Sequence, residues 1–205
     1  PYQAFPDEKD WFICPGERWG TTASLIGSTL MKSKFPYRIW QFWQSFKGSP
    51  ENGKTEGITM LLDDRQLGLF QGMKGADQNH SMRVYQSLRN SGVENKDLLQ
   101  AALLHDAGKQ QVTLYRWERI FAVLLDAAAP GISAAWGEGK PTGLRKPLAV
   151  YHQHAAWGAE LAREAGCSSL TVWLICNHET DHPEDPPSTE ALQLLEQLQF
   201  ADNSN

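Results

Sequence analysis

The chain has few cysteines, no long apolar run and no excess of positive charge. Cys14, Cys167 and Cys176 are the only three cysteines in 205 residues, and none stands in a CxxC spacing. Such sparse thiols exclude a disulfide framework and read as reduced, mostly structural groups of a cytoplasmic protein. No apolar run approaches the roughly 20 residues that span a bilayer, and no secretory signal is visible. The formal net charge of −5 excludes the global basic footprint of a nucleic-acid binder. A phosphorylated ligand would need local positive charge or a metal ion. Strand patterns, internal repeats and low-complexity tracts are also lacking. What is present, 41% apolar and 21% charged residues, suits one sizeable helical domain with its own core.

Three segments are expected. The chain opens on Pro1 rather than Met, and residues 1–30 carry Pro6, Pro15, Gly16, Gly20 and Gly27 without periodicity. This segment reads as loosely ordered, with the functional protein beginning near Met31. Residues 31–74 read as a helical extension. Ile39, Trp40, Phe42, Trp43 and Phe46 fall mostly at helical spacing and suggest an aromatic face docking on the main domain. A polar loop follows around Pro50, Asn52 and Gly53, then a helix over 61–73 with Asp63 or Asp64 as its cap.

Residues 75–205 form the main domain. The spacing predicts a helix capped by Asp77 and running to about Asn90, and another capped by Asn95 and closed by Gly108. A long apolar helix over 114–129 is expected to stop at Pro130-Gly131, with 134–146 as a Gly-rich loop. Pro147 suits the first turn of the next helix, which Gly166 ends. A helix capped by Ser168 or Ser169 runs to His178, residues 181–187 make an acidic turn, and a last helix carries Asp202.

The segment Ala101-Ala-Leu-Leu-His-Asp-Ala-Gly-Lys109 is the most informative. It sets a His-Asp pair at the end of an apolar helix, and buried charge is costly unless paired or bound to metal. His80, His154, His178 and Asp202 also lie on, or at the end of, apolar helix faces. One such histidine is usually a hydrogen-bonded core residue. A set of six ligand-type side chains on five helices points to a metal centre, since facing helices project such groups inward. Imidazole with carboxylate suits iron, manganese, cobalt, nickel or zinc, and one or two ions per chain would fit. His105 and Asp106 diverge by about 100° if both are helical, so they share an ion only where the backbone turns. Asp106 is the natural bridge in a dinuclear centre. His152 cannot face the same way as His154, and His182 sits in the Pro-rich turn. Lys109 is a candidate cation for substrate phosphate, with Lys74, Arg83, Arg145 and Lys146 as weaker ones.

These motifs, in this order, resemble the HD-domain superfamily of metal-dependent phosphohydrolases. The likeness rests on His80, Leu103-Leu-His-Asp-Ala-Gly-Lys109 and Phe200-Ala-Asp202, and covers about residues 75–202. His154-Ala-Ala-Trp-Gly-Ala-Glu160 and Asn177-His-Glu179 are similar to segments that carry extra histidines in dinuclear members. The resemblance implies an all-α helical bundle. It assigns His80, His105, Asp106 and Asp202 to one ion, and His154 and His178 to a second bridged by Asp106. It also implies hydrolysis of a phosphate ester, a nucleotide among the candidates, by metal-activated water, with Asp106 and Lys109 as catalytic residues. The Gly-Tyr-Pro motif of the cyclic-dinucleotide branch does not follow His178, and the stretch between Lys109 and His154 is an insertion. Two other classes stay open: a di-iron oxygenase, and a non-enzymatic module that responds to a metal or nucleotide.

Overall fold

The computed structural model describes residues 56–183 and 185–205. The expectations for residues 1–30, the aromatic helix around Trp40 and Trp43, the loop at 50–53 and Cys14 lie outside the described residues. Among those described, every regular element is helical, so the fold is all-α. The α-helices are α1 (Glu56–Thr59), α2 (Asp64–Gly72), α3 (Gly75–Asn90), α4 (Lys96–Leu104), α5 (Arg116–Ala128), α6 (Pro130–Gly137), α7 (Lys146–Glu164), α8 (Ser169–Asn177) and α9 (Thr189–Ser204). Short 3₁₀ turns, Ala107–Gln111 and Gly143–Arg145, precede α5 and α7. No helix among the described residues is long and apolar enough to cross a membrane.

The centre of the bundle is α4. Every residue from Leu98 to Leu104 is buried, which marks a helix enclosed on all sides. It packs on α3, α8 and α9, while α7 crosses α8 and the 3₁₀ turn that follows α4. Ala101, Ala102, Leu103, Ala159, Ala162, Leu174, Ile175 and Leu198 form the heart of one core that also takes in Ile58, Leu62, Phe70 and Met73. The described part of the extension thus shares the main core.

Local chemistry sets most boundaries. Asp63 caps α2 by accepting from the backbone N–H of Arg65 and Gln66, while Gln66 reaches back to the Asp63 N–H, a capping box. That box starts the helix at Asp64 rather than 61. Asn95 accepts from Leu98 N–H, Ser168 from Thr171 N–H and Ser188 from Ala191 N–H. Gly166 adopts φ +83° just past α7, where an L side chain would be strained.

Several expectations need correction. Asp77 is not a cap: α3 begins at Gly75, and the Asp77 carboxylate binds Arg119 instead. Gly108 does not end a continuous α-helix, because α4 stops at Leu104 and the chain tightens into the 3₁₀ turn. The stop expected at Pro130-Gly131 is found, since α5 ends at Ala128, but the loop expected over 134–146 is helical as far as Gly137 because Pro130 opens a new helix. Pro130 occupies the first turn of α6, where its missing N–H has no intrahelical partner to lose. Cys167 is a free thiol whose pKa burial raises to about 11, whereas Cys176 is disulfide-bonded rather than reduced.

Candidate metal centre

His105 is the C-cap of the buried helix α4, and Asp106 follows at φ −91°, ψ 3°. This departure from helical geometry lets two adjacent side chains face one point. The turn holds its place because Gly108 lies directly on the backbone of α7. A Cβ there would stand 1.9 Å from His154 O and 2.6 Å from Gly158 N. Gly158 answers with the same lack of bulk, since its own Cβ would meet Gly108 N at 3.1 Å. The close crossing brings Asp106 and Lys109 against His154.

Three imidazoles are oriented in the same way. His105 Nδ1 lies 3.0 Å from Ala102 O, His178 Nδ1 2.7 Å from Ile175 O, and His154 Nδ1 3.1 Å from both Val150 O and Tyr151 O. A carbonyl only accepts, so each Nδ1 carries a proton and each Nε2 turns to the centre. The buried Nε2 atoms of His154 and His178 have no hydrogen-bond partner. The rings of His80, His105, His178 and His154 form a row, successive centroids being 5.3, 5.0 and 5.3 Å apart and each ring edge-on to the next.

The carboxylates lie along this row. Asp202 Oδ1 is 2.6 Å from His80 Nε2 and 3.4 Å from His105 Nε2. Asp106 Oδ1 is 3.7 Å from His105 Nε2, 3.6 Å from His154 Nε2 and 2.6 Å from Lys109 Nζ. Three overlapping sets have ligand atoms within 4.8 Å of one another: His80, His105 and Asp106; His105, His178 and Asp202; and Asp106, His154 and His178. All six sequence-assigned ligands therefore converge. Their division is less clean than expected, because His105 and His178, as well as Asp106, each belong to two sets.

Electrostatics follow from this crowding. Burial alone would lower the His105 pKa, but the carboxylates of Asp106 and Asp202 raise it to about 9. His178 goes to about 4, through burial first and then the charge on His105. Its Nε2 lone pair is thus free near neutral pH. Burial opposes ionisation of Asp106 and Asp202, yet both stay well below the usual carboxylate range. Lys109 and His105 hold Asp106 there, and His105 and His80 hold Asp202. Lys109 is raised by Asp106 against burial and keeps its charge. Imidazole nitrogens and carboxylate oxygens on a buried, polar floor are the donor set that a divalent transition ion takes, and the unpartnered Nε2 atoms fit that use.

A cavity of about 240 Å³ opens above this floor, with His80, Asp106, His154 and Asp202 at its base. Lys109, Arg119 and Glu179 also line it. Sequence reasoning missed Arg119 and Glu179 as site residues. Glu179 Oε1 lies 3.6 Å from His154 Nε2, and its position directly after His178 was the only signal. Arg119 shares a helix face with the buried Ala122, three residues on, so a charge on an apolar face was the available clue. The remaining cations have other work: Lys74 Nζ donates to Leu114 O, Arg83 to Asn205 O, and Lys146 pairs with Glu118. Arg145 is exposed. His152 faces away from the centre, its Nε2 2.8 Å from Ser133 Oγ and 3.6 Å from Asp126. His182 is exposed in the acidic turn.

Comparison of the chain with protein-family models, with curated proteins and with solved structures gives no match in any of the three.

Proposed function

We propose that the protein is a metal-dependent phosphohydrolase acting on a small phosphate ester. The observation that carries this reading is the set of inward Nε2 atoms around Asp106, two of them buried without a partner. The order of these residues along the chain, which resembles the HD-domain superfamily, also supports it.

His80, His105, Asp106, His154, His178 and Asp202 would hold one or two divalent ions, of iron, manganese, cobalt, nickel or zinc. Such an ion acidifies a water and withdraws charge from phosphoryl oxygens. The chain's own residues do the rest. Backbone carbonyls fix the tautomers of His105, His154 and His178, so these three imidazoles need not reorient. Asp106 lies where two ligand sets meet and sets their spacing. Lys109, tied to Asp106 and open to the cavity, offers a fixed cation for phosphoryl oxygens, which matters most where charge builds in the transition state. The surrounding burial keeps these interactions poorly screened.

Metal analysis of anaerobically purified protein tests the first half. Two ions per chain would support the six-ligand set, and one ion would demote His154 and His178. A panel of phosphate esters with manganese or ferrous iron tests the second half. Hydrolysis of none of them by fully loaded protein overturns the assignment.

A further inference from the structure

The second cation in the cavity, Arg119, comes from α5, in the stretch between Lys109 and His154. Its Nη1 donates to Asp77 Oδ1 at 2.9 Å and its Nη2 to Asp77 Oδ2 at 3.1 Å. That parallel fork occupies two of five guanidinium N–H groups and leaves three. Asp77 stands three residues before His80 on α3, hence on the same face about one turn away. The guanidinium is therefore anchored beside the imidazole floor, on a rigid element. Past Arg119 the same face of α5 turns apolar. Ala122 and Val123 line the cavity opposite Pro147 and Val150 of α7. The volume of about 240 Å³ falls below the roughly 300–1,000 Å³ of pockets for drug-sized ligands.

We propose that the inner face of α5 is the substrate-recognition surface: Arg119 binds the phosphoryl group together with Lys109, while Ala122 and Val123 seat a compact apolar leaving group. The leaving-group part rests on the phosphohydrolase reading, and the anion-binding part does not. Any such fork leaves three N–H groups over; what sets this one apart is that Arg119 lines the cavity together with His80 and Lys109.

The test uses the full chain loaded with manganese and inorganic phosphate as probe. Asp77→Asn/Arg119→Gln replaces the ion pair by an amide pair of similar shape, leaving no buried charge unpaired. Calorimetry is expected to show phosphate affinity weakened about ten-fold or more, with manganese stoichiometry and melting temperature unchanged. Equal affinity in variant and wild type overturns the proposal. A measurement on wild type holds if that variant fails to fold. In zinc-loaded protein the Arg119 Nε–H resonance, assigned by its loss in Arg119→Lys, is expected to shift as phosphate is added. A resonance unmoved at saturation overturns it equally. For the leaving group, kcat/KM should be higher for phenyl phosphate than for adenosine monophosphate, and the reverse order overturns that half. Wild type that binds phosphate through Arg119 yet hydrolyses none of the ester panel supports the anion site while removing the phosphohydrolase reading.

Discussion

Asp106 shows how much one side chain can be asked to do. Its Oδ1 stands within 3.7 Å of the His105 and His154 Nε2 atoms and 2.6 Å from Lys109 Nζ. Asp106→Ala removes an anion from between imidazoles and strands the lysine. Metal content is expected to drop to background and hydrolysis with it, measured by elemental analysis and by turnover on the same sample. A variant with full metal and full activity would remove the mechanism. Breaking a buried ion pair costs about 3–5 kcal/mol, but Lys109 is 27% exposed, so roughly 2 kcal/mol of stability loss in stripped protein is the better expectation. At this scale the sequence was largely readable, because a ligand-type residue on an apolar face is anomalous from spacing alone. Arg119 was readable only as a charge on the apolar face of α5, since what gives it meaning is Asp77, 42 residues away.

Elements place these side chains, and two of them do so by contrasting means. The 3₁₀ turn after α4 reaches α7 only because Gly108 and Gly158 lack side chains. Gly108→Ala would force a Cβ into His154 O at 1.9 Å, where a backbone atom must give way. A loss of about 3 kcal/mol in urea unfolding is expected, with metal content reduced because Asp106 and His154 are pushed apart. Unchanged stability would mean that the crossing is looser than drawn. Helix α8 is held instead by its start. The Ser168 hydroxyl accepts from Thr171 N–H and donates to Asp97 of α4. Ser168→Ala should cost about 1–2 kcal/mol, yet leave metal stoichiometry intact, since His178 sits at the far end of α8. Caps of this kind were legible at Asn95 and, to within one residue, at Ser168 and Asp63, because their chemistry is local. The break in the helix at His105-Asp106, just before the 3₁₀ turn, was legible only as a requirement. Helix α6 was missed because Pro followed by Gly reads equally as a stop or, as here, as the first turn of a new helix.

At the scale of the whole molecule the six candidate ligands come from α3, the end of α4, α7, the end of α8, and α9, elements spread over more than a hundred residues. An ion that binds this set binds only the folded chain. Ligand at a hundred times its dissociation constant adds about 2.7 kcal/mol of stability, so chelation should lower the melting temperature by roughly 5–10 °C. The pH dependence has a definite sign. In stripped protein His105 has its pKa raised from 6.5 to about 9. Its contribution is fully present below pH 6.5 and is lost as pH rises through 9. His178 is lowered from 6.5 to about 4, so its contribution is present above pH 6.5 and is lost as pH falls through 4. As far as these two groups go, stability of the stripped protein therefore peaks near pH 6.5. An ion taking His105 Nε2 must displace that proton, so metal affinity rises with pH up to about 9. Melting curves with and without manganese, at pH 6.5 and at pH 9, should show the metal-dependent gain widening at the higher pH. A gain of equal size at both would mean that the His105 proton is not the one the ion competes with, and that His105 is not a ligand.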